Sequence, residues 1–265
     1  MSSVSNHYIL EFAGVGFTYQ KDKDFIRSLT FSVGDGESIG LLGANGSGKS
    51  TILKLANGIL KPSEGSIKLW GKPLQSYRHK DRAKLLCYLP QLLDINIPFR
   101  VKELVCMGLY PYDIIPDMTV EEALEMVGLE GKSESYIKDL SGGERRRVFI
   151  AMTILQGAGL LLLDEPLANL DIKYQIEIMK LLRELKEKKN ISIIMALHDI
   201  NMALQFEKVM LIKDGEILGI GDPEIVLSGD LLREAFDVSL EIERQKSEGA
   251  CITYRKGVRI NPKLG

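Results

Sequence analysis

One stretch of this sequence carries the residue types that handle a polyphosphate. Gly43-Ala44-Asn45-Gly46-Ser47-Gly48-Lys49-Ser50 fits the pattern G-x-x-x-x-G-K-[ST], and Thr51 follows directly. A triphosphate presents dense negative charge, so its loop must turn backbone N–H groups inward. Glycines at 43, 46 and 48 permit that curvature and a close approach. Lys49 can reach the β- and γ-phosphates, and the Ser50 hydroxyl can hold Mg²⁺. Asn45 and Thr51 join the loop as nucleotide-binding candidates. The pattern alone implies a nucleoside triphosphate and no particular reaction.

Further along, Leu160-Leu161-Leu162-Leu163-Asp164-Glu165 is an apolar run ending in two carboxylates. Neighbouring strand residues point to opposite sides, so the two acids should divide the work. One can support Mg²⁺, and the other can face the γ-phosphate and activate water. Leu140-Ser141-Gly142-Gly143-Glu144 precedes a helix carrying Arg145, Arg146 and Arg147. Ser141 is a good N-cap candidate, and the glycines expose backbone N–H groups, which makes a second anion-binding helix start. One chain rarely needs two such starts for one γ-phosphate. The simple resolution is that this one serves the nucleotide of another subunit.

These residues need elements to hold them. Ser38 to Leu42 reads as a short apolar strand before the phosphate loop, and Ile52, Leu53, Leu55, Ala56 and Ile59 continue after it at helical spacing. Upstream, Tyr8 to Phe12 and Leu29 to Val33 alternate as strands, with a charged turn at Asp22 to Asp24 and a strong turn at Gly34-Asp35-Gly36. The middle reads as a helical insert: Val101 to Met107, then Thr119 to Val127 opened by a Thr119/Glu122 capping box. Arg145 to Leu155 is helical, Leu160 to Leu163 a strand and Ile172 to Lys189 an amphipathic helix with Ile176, Met179, Leu182 and Leu185 on its apolar side. Ile191 to Leu197 is a buried strand, and Asn201 to Phe206 is helical. Val209 to Ile212 and Glu216 to Gly219 form a hairpin over Asp214-Gly215. Such alternation predicts a three-layer α/β domain with a mainly parallel sheet.

The chain of 265 residues is 45% hydrophobic and 26% charged, an ordinary globular balance. Its 34 Lys and Arg against 36 Asp and Glu leave a net charge of −2, which argues against holding nucleic acid by bulk charge. No apolar run approaches the ~18 residues of a membrane-spanning helix. Met1 to Asn6 lacks the apolar core of a signal peptide, so a soluble cytoplasmic chain is expected. Cys87, Cys106 and Cys251 include no CxxC pair, and reduced thiols are expected rather than a disulfide framework or zinc site.

The order of the motifs is specific. The phosphate loop, Leu140 to Glu144, Leu163-Asp164-Glu165-Pro166 and the later His198 resemble the motif set of the ATP-binding cassette (ABC) ATPases, over about residues 8 to 240. The resemblance implies one ABC ATPase domain over 1–265: an α/β core, an N-terminal antiparallel β subdomain, a helical subdomain near 92–155 and a C-terminal tail near 238–265. It also implies a head-to-tail dimer with ATP and Mg²⁺ between subunits, each ATP facing Ser141, Gly142 and Gly143 of the other chain. By position, Tyr19 looks like the adenine-stacking aromatic, and Gln91 like the glutamine that senses Mg²⁺ and water and links to a membrane partner. Asp164 resembles the Mg²⁺-supporting aspartate, Glu165 the catalytic base and His198 the histidine contacting the γ-phosphate. Ala168-Asn169-Leu170-Asp171 resembles the loop crossing the dimer interface.

Some positions depart from the family's common form. Glu144 stands for the usual Gln, Met152-Thr153 for Ala-Arg and Leu167 for Thr or Ser. None removes a catalytic group. Arg100 to Val105, Gly108 to Tyr112, Leu170 to Glu177, His198 to Ala203 and the stretch from Gly219 to Pro223 resemble the importer branch for iron–siderophores, haem and cobalamin, although Arg100 and Leu109 replace that branch's Thr and Arg. This implies a permease partner, an extracytoplasmic binding protein met indirectly and a peripheral place on the cytoplasmic face of the membrane. The competing readings are a soluble ABC ATPase acting on a protein assembly, such as iron–sulfur assembly, and a non-catalytic nucleotide-binding module, against which Glu165 and His198 speak.

Overall fold

The computed structural model describes residues 8–20, 23–91, 98–114, 116–168, 170–237, 241–245 and 249–253. The chain runs through β1 (Tyr8–Gln20), β2 (Lys23–Gly34), β3 (Ser38–Leu42), α1 (Lys49–Ala56), β4 (Glu64–Leu69), β5 (Lys72–Pro73), α2 (His79–Leu85) and β6 (Leu86–Leu89). Three helices follow: α3 (Val101–Cys106), α4 (Val120–Glu125) and α5 (Gly142–Gln156). Strand and helix then alternate as β7 (Leu160–Asp164), α6 (Ile172–Lys189), β8 (Ser192–Ala196), α7 (Ile200–Ala203), β9 (Lys208–Lys213) and β10 (Glu216–Gly221). Helices α8 (Pro223–Val226) and α9 (Gly229–Phe236) precede a hairpin of β11 (Glu241–Gln245) and β12 (Gly249–Thr253).

The larger sheet has the order β10-β9-β3-β8-β7-β6, parallel except for β10 at its edge. The smaller antiparallel sheet is β2-β1-β4-β5. Both faces of the larger sheet are covered, which explains the unbroken apolar runs in its strands. In β7, Leu160 and Leu162 enter the core shared with the antiparallel sheet and α1, whereas Leu161 and Leu163 enter the core shared with α5 and α6. Ile194 and Ala196 of β8 divide from Ile193 and Met195 in the same way. The parallel α/β core, the antiparallel N-terminal sheet and the insert of α3, α4 and α5 agree with the sequence reading.

Several boundaries differ. The first two strands are much longer than expected, because β1 follows β2 through a series of register shifts that let the ribbon bend without ending. Of the charged turn expected at Asp22 to Asp24, Asp22 lies outside the described residues, while Lys23 and Asp24 already belong to β2; 92–97 of the expected helical subdomain also lie outside them. So do 238–240, 246–248 and 254–265 of the expected tail. Helix α7 stops at Ala203, since Leu204, Gln205 and Phe206 bond three residues back instead of four. Helix α6 has the expected bounds, but Ile176 is exposed, and its buried stripe is Ile178, Met179, Leu181, Leu182 and Leu185. The capping box of α4 is formed: Thr119 Oγ1 accepts from Glu122 N–H at 3.1 Å, and Thr119 N–H donates to Glu122 Oε2 at 2.7 Å.

Candidate functional site

The phosphate loop joins the end of β3 to the start of α1. Ser47 N–H bonds back to Ala44 O at 3.1 Å, and Gly48 opens the helix at φ +114°. That φ requires glycine, and a Cβ there would lie 2.8 Å from Ile26 Cδ1, so the end of the Ile26 side chain would also have to shift. No side chain caps α1 and no acid sits in its first turn, which leaves the helix start open to an anion. Lys49 is buried and curls back on the loop, donating to Gly43 O at 2.8 Å and Ala44 O at 3.2 Å. Burial pulls its ammonium below the usual lysine range, and the carboxylates of Glu165 and Asp164 pull the other way. The tip of the β9–β10 hairpin braces the loop from behind. Gly215 N–H donates to Ser47 O at 3.0 Å, and its carbonyl accepts from Arg27 N–H at 3.1 Å. A Cβ on Gly215, at φ +79°, would sit 1.8 Å from Phe25 O.

In front of the loop is a cavity of 310 Å³ that brings Asn45, Gly46, Gly48, Lys49, Ser50 and Thr51 together with Gln91, Glu165 and His198. Asp164 lies behind Ser50, only 1% exposed, and accepts from Ser50 Oγ at 3.0 Å on one oxygen and from the Tyr88 hydroxyl at 3.2 Å on the other. Burial raises the Asp164 carboxyl above its ordinary range against the opposing pull of those two bonds, and the neighbouring Glu165 adds to the rise. Glu165 turns the opposite way. Its Oε2 meets Gln91 Nε2 and, at 2.6 Å, His198 Nε2. Glu165 also holds φ +51°, a left-handed conformation that costs a non-glycine residue ~1–3 kcal/mol. The two adjacent acids thus face different partners, but strand alternation is not the cause: β7 ends at Asp164, and the left-handed turn at Glu165 sends its side chain the other way.

The other candidates lie outside the cavity lining. Gly43 forms the base of the loop. Tyr19 bonds through its hydroxyl to Thr51 Oγ1 at 2.9 Å, is flanked edge-on by Phe17 and Phe25, and leaves its ring 57% exposed. Ser141 caps α5, accepting from Glu144 N–H at 3.2 Å, while the Glu144 carboxylate accepts from Ser141 N–H at 2.9 Å. A carboxylate at position 144 therefore completes the cap where an amide is commoner. Ser141 and Gly142 are exposed, and the structure does not bring this helix start to the chain's own phosphate cavity. Asp171 stands exposed before α6 without a side-chain cap bond, and Asn169 lies outside the described residues. Tyr88 is the residue that sequence reasoning missed. Its signal was weak: Cys87 and Leu89 enter opposite cores from Leu86, but β6 is only four residues long.

Residues 26–168 match the family model described as ABC transporter. The chain belongs to that family. As an ABC cassette it is an ATP-binding, ATP-hydrolysing chain. Curated relatives include a petrobactin import ATP-binding protein, FpuC of Bacillus anthracis, 39% identical over 225 residues that cover 82% of this chain and 83% of that one. An iron(3+)-hydroxamate import ATP-binding protein, FhuC of Bacillus subtilis, is 35% identical over 264 residues and covers 96% of each chain. Among solved structures, a dimeric post-hydrolysis state of an ATP-binding cassette bound to ADP and Pi has a TM-score of 0.73 at 26% identity, covering 81% of this chain and 98% of that one. Among the described residues, no helix of this cassette is long and apolar enough to cross a membrane.

Proposed function

We propose that this ABC cassette is the ATP-hydrolysing subunit of an importer for an iron chelate, siderophore or haem, or for cobalamin. It acts as a head-to-tail dimer on a separate membrane permease, at the cytoplasmic face of the membrane, and an extracytoplasmic binding protein delivers the ligand. The carrying observation is the convergence of Lys49, Ser50 and the Gln91–Glu165–His198 group on one cavity, with Asp164 bonded to Ser50 from behind. The import relatives favour this reading over a soluble assembly factor.

Lys49 exchanges its loop carbonyls for the β- and γ-phosphates, and the N–H groups of Gly46, Gly48 and the start of α1 take up the remaining charge. Tyr19 offers its exposed ring to the adenine. Ser50 and Asp164 supply one hydroxyl and one carboxylate. Among the described residues no cluster of three or more His, Cys, Asp or Glu side chains offers a complete protein cage. That donor set suits Mg²⁺, which is bound by one or two carboxylates and completes its shell with phosphate oxygens and water. When bound, Mg²⁺ neutralises charge developing on the β–γ bridge. Glu165 accepts the proton of the attacking water, and Gln91 and His198 aim its carboxylate and contact the γ-phosphate side. Ser141, Gly142 and Gly143 serve the partner's nucleotide, with Asp171 at the interface. The helical segment near 92–155 with Gln91 meets the permease.

The test is Glu165→Gln, with turnover expected to fall ~10²–10⁴-fold while ATP still binds and dimers persist. Wild-type turnover would refute Glu165 as the base. Deletion of the gene should abolish uptake of a labelled ferric siderophore, haem or cobalamin. Intact uptake of all three, with the protein recovered in a soluble assembly complex, would overturn the import reading.

A further inference from the structure

Arg146 lies in the second turn of α5 and is buried. A guanidinium has five N–H donors in one rigid plane. Here all five are used, each on a different backbone carbonyl. Nε donates to Pro166 O at 3.1 Å, Nη1 to Pro90 O and Gln91 O at 2.9 Å each, and Nη2 to Asp164 O at 2.9 Å and Glu165 O at 2.6 Å. Its bonds go to the main chain, and the carboxylates of Asp164 and Glu165 act on it only through their charge. Burial disfavours its charge, and the charges of Asp164 and Glu165 oppose that only in part. An apolar side chain of similar volume would fill the space without that cost but would leave five carbonyls without their donor, so the guanidinium serves the carbonyls and not the volume. The carbonyls belong to two segments. One carries Gln91. The other leaves β7 through Asp164 and Glu165, and Glu165 holds its left-handed φ within this cluster of carbonyls.

We infer that Arg146 is the positioning residue of the hydrolytic site: its guanidinium fixes the backbones of Gln91 and Glu165 against each other, and so aims the Glu165 carboxylate at Gln91 and His198. The inference rests on Glu165 being the catalytic base. Arg146 acts through the main chain and touches no nucleotide. Lysine cannot replace it, because one ammonium has three donors and no plane to span two segments.

The experiment compares Arg146→Met, Arg146→Lys and Arg146→Ala with Glu165→Gln, in ATP affinity and in steady-state turnover. Misplacing a catalytic group by ~1 Å costs about 10²-fold in rate. Arg146→Met leaves five carbonyls without this donor and should lower stability; its folded fraction is expected to bind ATP as the wild type does and to lose kcat about 10²-fold. Arg146→Lys should not restore it, whereas low concentrations of methylguanidinium should partly restore Arg146→Ala. If Arg146→Met is too unstable to assay, Arg146→Lys and the rescue of Arg146→Ala carry the test. Turnover within twofold of wild type in the Met or Lys variant, with Glu165→Gln inactive, overturns the role of Arg146 alone. Losses of kcat that merely track lost ATP binding or lost folded protein also overturn it. Full turnover in Glu165→Gln instead removes the catalytic reading and the inference with it.

Discussion

Replacing Tyr88 by phenylalanine removes one oxygen from behind the phosphate cavity and leaves the ring in place. That oxygen donates to Asp164 Oδ2 at 3.2 Å, and Asp164 is almost fully sealed from water, so no solvent donor can substitute. Hydrogen bonds to charged groups contribute ~1.5–3 kcal/mol, and this one is longer than the ~2.7–2.8 Å mode, so the lower end applies, about 1.5 kcal/mol. In a domain of this size each kcal/mol moves the thermal midpoint by ~2–4 °C, so the nucleotide-free variant should melt about 3–6 °C lower at pH 7.5. The loss has a definite pH sign. The Tyr88 bond favours ionised Asp164, whose carboxyl is already raised by burial. Without it the carboxyl rises further, so the difference between variant and wild type grows as pH climbs through the Asp164 ionisation and fades below it. Because Tyr88 also orients the proposed Mg²⁺-supporting carboxylate, the half-saturating Mg²⁺ concentration for hydrolysis should rise ~10-fold. Circular-dichroism melts at two pH values and a Mg²⁺ titration of phosphate release measure both effects. Equal midpoints at pH 7.5 together with an unchanged Mg²⁺ titration would refute the reasoning.

Gly48→Ala must hold a side chain at φ +114° against Ile26, a strain of ~1–3 kcal/mol, and should weaken ATP binding at least tenfold; wild-type affinity by equilibrium dialysis would contradict this. Thr119→Ala should lower unfolding free energy by ~1 kcal/mol through loss of the α4 cap and leave kcat unchanged, as a denaturant titration beside an activity assay will reveal. Cys87 is buried and burial pushes its thiol up to about 12, so it stays protonated at ordinary pH, whereas Cys106 is exposed. Iodoacetamide at pH 8 should therefore alkylate Cys106 and spare Cys87 until the chain unfolds, with peptide mapping as the readout.

Much of the site was legible because its physics is local. A glycine-rich turn between an apolar strand and a helix admits few conformations, and four leucines before two acids read as a strand covered on both faces. The rest depends on distant chain. Strand β4 turns most of its residues to solvent and leaves no apolar run to notice. On α6, the spacing from Met179 admitted Ile176 as readily as Leu182, and only the neighbouring elements decide that Ile178 and Leu181 are buried instead. Arg146 is the extreme case. Its partners are main-chain carbonyls 18 to 56 positions away, which leave no mark in the identity of any residue.

The bracing of the phosphate loop by Gly215 has a consequence for how the protein is made. Strand β3, which ends at the loop, pairs Ser38 with Ile193 on one side and Ile39 with Lys208 on the other. Every residue from Gly43 to Ser50 has therefore left the ribosome long before either flank of that strand exists. Contacts of such sequence separation form late, since the loop-closure entropy is spent before they repay it. A nascent or stalled chain ending before residue 215 carries the whole phosphate-binding motif without the brace behind it. Nucleotide capture then belongs to the finished polypeptide, and cellular ATP stabilises only copies whose synthesis has passed that hairpin.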